Sequence, residues 1–218
     1  MRRILLIAHR VPVAGNFTLN DLAGGAGRMD EVARAVSTAF SLSNDLRRDT
    51  EMTVLYVASP PPAARRIRLI GERIRYLNPD ERSTAALLKN ALVRSIPLTG
   101  EVEASPGLFV APADPESELR EFARQPGVVW LTESGAPIGE FRLSGGDVGA
   151  ILADPFDFAP AESALLEGLG VPKVSLGPLS LRSSQCVDLF HHYVDLREAV
   201  RPGSAKEAGG LETSATGP

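Results

Sequence analysis

Apolar runs of strand length alternate with helix-period patterns along almost the whole chain, which restricts the fold to a sheet with helices packed on its faces. Residues 4–11 and 52–58 are two such runs; between them lie Gly24-Gly25-Ala26-Gly27 and then Val32, Ala33, Val36, Ala39 and Phe40 at helical spacing. A strand, loop, helix and strand in this order make parallel neighbours joined by a right-handed crossover. Residues 66–77 alternate apolar and basic side chains across Gly71-Glu72, which predicts a hairpin with an arginine-rich face. Asn78, Pro79 and Glu81 predict an N-cap, a first-turn proline and a capping box for a helix over 79–94. Further strands are expected over 108–111, 128–132, 148–153 and 173–176, and helices over 115–124, 161–169 and 183–200. For 218 residues this predicts a single domain over 1–202, followed by a disordered tail over 203–218 rich in Gly, Ser, Ala and Thr.

Composition narrows the function. Hydrophobic residues make up 44% and charged residues 23%, the balance of a soluble globular protein, and no apolar run approaches the roughly 20 residues of a membrane span. The opening MRRILLIAHRVP reads as a strand and not as a signal peptide, which points to the cytoplasm. The single cysteine, Cys186, excludes a disulfide framework and a cysteine zinc cluster, and the three histidines show no metal-ligand spacing, so no metal is expected. A net charge of −4 argues against a protein that coats polyanions, yet Arg47, Arg48, Arg65, Arg66, Arg68, Arg73, Arg75 and Arg82 crowd into one third of the chain. That segment is either a local anion-binding surface or an ordinary solvated face.

Repeated strand–helix units bind ligands in the loops after the strands. The loop at 24–27 lacks both the dinucleotide and the P-loop glycine spacing. Ser144-Gly145-Gly146-Asp147 either brings backbone close to a ligand or makes a plain turn. The third, Ser175-Leu176-Gly177-Pro178-Leu179-Ser180-Leu181, places leucines where neither a strand nor a helix pattern accounts for them. Apolar side chains around free backbone amides and carbonyls suit an adenine or a thioether better than a phosphate. Cys186, in the first turn of the last helix, is either a buried packing residue or a wall of that pocket.

Five blocks together are more specific than any one glycine motif: Arg3-Ile-Leu-Leu-Ile-Ala-His-Arg, Asn20-Asp-Leu-Ala-Gly-Gly-Ala-Gly-Arg-Met-Asp30, Leu42-Ser-Asn-Asp-Leu-Arg-Arg-Asp49, Arg75-Tyr-Leu-Asn-Pro-Asp-Glu-Arg-Ser-Thr-Ala-Ala-Leu87 and Val174-Ser-Leu-Gly-Pro-Leu-Ser180 followed by Cys186. In order and spacing they resemble the TrmY family, whose archaeal members are tRNA pseudouridine-54 N1-methyltransferases of the SPOUT class. The resemblance implies a SPOUT-type α/β fold, a mostly parallel sheet flanked by helices, with a C-terminal trefoil knot. It further implies S-adenosylmethionine as cofactor, tRNA as partner and a homodimer.

Carried over by motif, Leu131, Gly146, Leu176, Gly177, Pro178, Leu179, Ser180, Leu181 and Cys186 would hold the methyl donor. Methylating N1 of pseudouridine requires removal of a proton as well as alignment of nitrogen and methyl, so the enzyme needs an acceptor or an anion stabiliser. Asp30, Asp49 and Arg48 are the catalytic candidates, and Arg28, Arg47, Arg75 and Arg82 the RNA-binding ones. The resemblance places the family's Gly-Asp-His, which follows the penultimate strand, on Gly146-Asp147-Val148, with valine in place of histidine. The alternatives are a catalytically idle RNA-binding protein of the same fold and a methyltransferase for pseudouridine in another RNA.

Overall fold

The computed structural model describes residues 1–57, 64–141 and 146–199. In chain order the elements are β1 (Arg2–Ala8), α1 (Met29–Phe40), β2 (Thr50–Tyr56), β3 (Arg65–Ile70), α2 (Glu81–Leu92), β4 (Val102–Ser105), β5 (Leu108–Pro112), α3 (Pro115–Ala123), β6 (Val128–Pro137), β7 (Val148–Ala153), α4 (Pro160–Gly168), β8 (Lys173–Ser175) and α5 (Ser183–Ala199). One sheet carries the strands in the order β4-β5-β3-β2-β1-β7-β6-β8. The ladders of β1 with β2 and β7, and of β6 with β7 and β8, are parallel; β3 and β4 run against the rest. The expected mostly parallel α/β sheet is therefore present.

β1 shows why a continuous apolar run is a central strand. Ile4, Leu6 and Ala8 face one core, shared with α1, α2 and α5, while Leu5 and Ile7 face a second core against α3 and α4. Both faces are buried, so alternation disappears from the sequence. α1 begins after a tight bend at Gly27, whose φ of +63° and whose closeness to Arg10 leave no space for a side chain: a Cβ there would lie 2.0 Å from the Arg10 carbonyl oxygen. Arg28, the residue before α1, also adopts a left-handed backbone, with φ 69°.

Two local expectations are corrected. The hairpin over 66–77 does not form: the chain turns at Gly71, with Arg73 N–H and Ile74 N–H both donating to Ile70 O, and the free edge of β3 pairs with β5 instead. The apolar Leu108–Pro112 strand covers that edge better than the basic Arg73-Ile74-Arg75 stretch, so a non-local partner prevails over the local one. β4 on the outer edge was not expected, because only Val102 and Ala104 mark it as apolar. The cap of α2 is Asp80, not Asn78: its carboxylate accepts from Ser83 N–H at 2.8 Å, while Pro79 lies outside the helix. The tail over 203–218 lies outside the described residues.

The arginines of the crowded segment are largely neutralised. Arg66 and Arg68 face Glu51, Glu101 and Glu118, and Arg73 meets Glu103. Arg65 donates to the carbonyls of Leu92, the last residue of α2, and of Arg94 just beyond it. Among the described residues no helix is long and apolar enough to cross a membrane, and no group of three or more His, Cys, Asp or Glu side chains could hold a metal ion.

The cap is separable from any site chemistry. Asp80→Ala is expected to cost about 1 kcal/mol, seen as a lower urea midpoint with an unchanged m-value.

Candidate active site

The parallel strands β6, β7 and β8 end together, and a cavity of about 600 Å³ opens at their C-terminal ends. Leu176, Gly177, Leu179, Ser180 and Leu181 form one wall, Trp130, Leu131, Thr132 and Glu133 of β6 another, and Ala153 and Asp154 close the end of β7. Three devices shape it. Ser175 Oγ donates to Gly177 O at 2.7 Å and accepts from Gly177 N–H at 3.2 Å, which curls the loop after β8. Ser183 Oγ donates to Ala153 O at 2.9 Å, fastening the start of α5 to the end of β7.

The third device is an excursion in β6. Val174 of β8 pairs with Leu131 and again with Ala136, so residues 132–135 are looped out of the ladder. Gly135 allows the loop to close, since a Cβ there would lie 2.4 Å from Val174 N. The excursion turns Thr132 and Glu133 into the cavity, as irregularities beside active sites commonly re-aim side chains.

The apolar wall is not covered by any part of the described chain. Leu179 is 71% exposed, an unusual setting for a leucine in a bent, glycine-bearing loop. Cys186 stands at the cavity, half-buried, its Sγ 4.0 Å from Leu181 O. Burial, with the Glu133 charge added, pushes its thiol up to about 11, so it remains protonated at neutral pH and serves as wall and not as nucleophile.

Of the anticipated donor-site residues, Leu131, Leu176, Gly177, Leu179, Ser180, Leu181 and Cys186 line this one cavity; Pro178 is exposed on the same loop. Gly146, with φ 131°, lies before β7 and thus at the opposite end of that strand. Residues 144–145 fall outside the described part of the chain. The match of Gly146-Asp147-Val148 to a motif following the penultimate strand is accordingly corrected: those residues enter β7, and what leaves it is Ala153-Asp154-Pro155. Asp147 pairs there with the N-terminal amine and with Arg3.

The other candidates divide in the same way. Arg28 lines the cavity and holds both oxygens of Asp30, Nε to Oδ1 and Nη2 to Oδ2, each at 3.0 Å. Burial alone would raise the Asp30 carboxyl, but the hydrogen bond and charge of Arg28 prevail and hold it below the usual range. Asp49 and Arg48 precede β2 at the other end of the sheet, a strand length or about 20 Å away. Asp49 pairs with Arg2, and Arg48 donates to Gly71 O and Ile74 O. Arg47 makes a two-point contact with Asp195 of α5. Arg82 bonds Leu19 O and Asn20. Arg75 is exposed and shares with Arg48 and Arg73 a second, shallow hollow of about 1170 Å³.

Several cavity residues were not legible as such. Asp154, buried at the tip of β7, accepts from His9 N–H at 2.7 Å and lies 3.0 Å from His9 Nδ1, while Glu162 of α4 meets His9 Nε2. Burial would lower the His9 imidazole, but the hydrogen bonds and charges of Asp154 and Glu162 prevail and push it up to about 9. An acid directly after an apolar run is the signal that marks a strand tip, and it was available at Asp154. Glu31 and Arg182, which also line the cavity, carried no comparable signal.

Residues 1–199 match the model of a family described as "Putative SAM-dependent RNA methyltransferase". The chain belongs to this family. Among its relatives, the tRNA (pseudouridine(54)-N(1))-methyltransferase of Methanocella arvoryzae is 41% identical over 201 residues, covering 90% of this chain and all of the relative. The enzyme of the same name from Methanosarcina acetivorans is 37% identical, covering 96% of this chain and 100% of the relative. The solved structure of Archaeoglobus fulgidus Nep1 bound to S-adenosylhomocysteine superposes with a TM-score of 0.56, at 16% identity, over 91% of this chain and 98% of that one. At that identity the likeness bears on the fold alone.

The His9 pairing sets a pH signature. A base raised from 6.5 to about 9 on folding adds stability that is complete below about pH 6.5 and is lost as pH rises through about 9. The urea midpoint of the wild type is therefore expected to fall between these values, and that of His9→Gln to stay level. NMR titration of the His9 ring checks the assignment directly.

Proposed function

We infer that the protein is an S-adenosylmethionine-dependent methyltransferase that methylates N1 of pseudouridine at position 54 of tRNA. The observation that carries this reading is the full-length match, at 41% identity, to a relative bearing that name. The cavity is what lets this chain do it: an exposed apolar loop with free backbone groups, at the tips of parallel strands, fits an adenosine bearing a sulfur chain. Leu176, Leu179 and Leu181 would cover the faces of the adenine, the amides and carbonyls of 176–181 would read its edges, and Leu131 and Cys186 would close the wall behind it.

The bound donor supplies an electrophilic methyl group on a sulfonium. The residues' own work is to orient the target nitrogen, exclude water and let its proton leave. Asp30, with both oxygens held by Arg28, acts by fixing the Arg28 guanidinium at the cavity mouth. Asp49 and Arg48 stand too far from the cavity of their own chain, so a catalytic part for them requires a second copy.

A homodimer therefore belongs to this reading, as does a tRNA surface that takes in Arg48 and Arg75 and their hollow, together with Arg82 and with Arg28 at the cavity, while Arg47 holds α5 through Asp195. The fold would be of the SPOUT type over a single domain of residues 1–202, with α5 drawn through a trefoil knot. Its N-terminus is fastened to Ala153 and Arg197 donates to Ile138 O, so segments that precede it in the chain hold it at both ends. The setting of such an enzyme is the cytoplasm.

Incubation of the protein with S-adenosylmethionine and a tRNA carrying pseudouridine at position 54 is expected to yield 1-methylpseudouridine by nucleoside mass spectrometry; absence of that product sinks the assignment. Leu179→Asp, at an exposed position, is expected to weaken calorimetric binding of the donor about tenfold or more while leaving the melting temperature within a degree or two.

A further inference from the structure

The cavity has a polar side facing the leucine loop, made by Arg28 and Glu31 at the start of α1 and by Arg182 just before α5. Glu31 is the odd member. Its side chain is only 2% exposed, yet it is surrounded by guanidinium groups that all use the same oxygen. Oε1 accepts from Arg28 Nη2 at 2.9 Å and Arg34 Nη1 at 2.7 Å, and lies 3.7 Å from Arg182 Nη1. Oε2 is buried with no hydrogen-bond partner.

An unsatisfied carboxylate oxygen away from water is costly, and in a cavity wall it calls for a donor from outside the chain. The arginines beside it still have N–H groups to give. Arg28 spends Nε and Nη2 on Asp30 and Glu31, and Arg182, 64% exposed, touches Glu31 by one corner only. Two guanidinium donors and a carboxylate with one unused oxygen thus stand together in the cavity lining.

A uracil-type ring presents the complement: carbonyl, N3–H, carbonyl. We propose that Arg28, Glu31 and Arg182 form the subsite for the target base, with Glu31 Oε2 accepting from N3–H and the two guanidinium groups donating to the flanking carbonyl oxygens. A cytosine-type edge, with its unprotonated N3 and exocyclic amine, reverses two of the three contacts and is rejected, because it leaves a buried carboxylate and a guanidinium each facing a group of its own kind. Held by this edge, pseudouridine keeps N1 out of the hydrogen bonds and free for methylation. This inference rests on the methyltransferase reading above and adds specificity to it; Glu31 and Arg182 are recognition residues and not proton acceptors.

The test uses two T-arm RNA hairpins that differ at one atom, carrying either pseudouridine or N3-methylpseudouridine at position 54. Both keep N1–H. The wild-type protein, with S-adenosylhomocysteine present, is expected to bind the first about 10- to 100-fold more tightly, the worth of one hydrogen bond to a charged group. Equal binding of the two hairpins overturns the proposal without any variant being made. Glu31→Gln is expected to shrink the preference to threefold or less while binding S-adenosylhomocysteine as the wild type does; an undiminished preference overturns the proposal. If Glu31→Gln loses that binding because α1 is disturbed, Arg182→Ala replaces it: weaker binding of the pseudouridine hairpin, by about fivefold or more, supports the subsite, and unchanged binding overturns it. Methylation of the pseudouridine hairpin by the wild type keeps the two levels apart. If it occurs and the hairpins bind alike, only the subsite fails; if it does not occur, the methyltransferase reading fails first.

Discussion

Arg2 is the point on which the arrangement of the chain turns. Its side chain is 3% exposed at the first residue of the central strand, and it meets three carboxylates: Asp49 before β2, and Asp195 and Glu198 on α5. A buried guanidinium without partners would cost several kcal/mol, so the strand can occupy the centre of the sheet only if the last helix comes back to lie beside it. Arg47 grips Asp195 from the same side. His191, one turn earlier on α5, is buried among them; burial, with the charges of Arg47 and Arg2 added, holds its imidazole down to about 3, so it stays neutral and adds no further cation.

From that anchor α5 runs to the tip of β7, where Ser183 bonds Ala153 and Cys186 faces the cavity. The same helix therefore carries the charge balance of the sheet at one end and a wall of the cavity at the other. The leucine loop preceding it is fixed on both sides, by β8 and by α5, and needs no apolar core of its own to stay in place. That is why Leu179 can stand exposed in an ordered segment.

What the sequence disclosed follows from how local each feature is. The strands buried on both faces, the helix of alanines and valines after the glycine turn, and the leucine loop all declare themselves within a dozen residues, and the residues of that loop do line one cavity with Leu131 and Cys186. Pairing across the sheet is not local: the edge of β3 went to β5, and the hairpin anticipated over 66–77 had no claim on it. Gly146 illustrates the same difficulty, since a glycine turn looks alike at either end of a strand and only the register of β7 on β1 tells which end it occupies. Most of the crowded arginines were similarly ambiguous, because the acids that neutralise Arg66 and Arg68 lie more than a dozen residues away in the chain.

The excursion of β6 separates two jobs that a plain strand would join. Since Val174 pairs with the residue before the loop and with the residue after it, the ladder resumes at the same residue of β8 at which it broke off. Lengthening or shortening the stretch around Thr132 and Glu133 would reshape the cavity mouth and leave the sheet, the leucine loop and α5 where they are. The mouth of the cavity can thus be altered without altering its leucine wall.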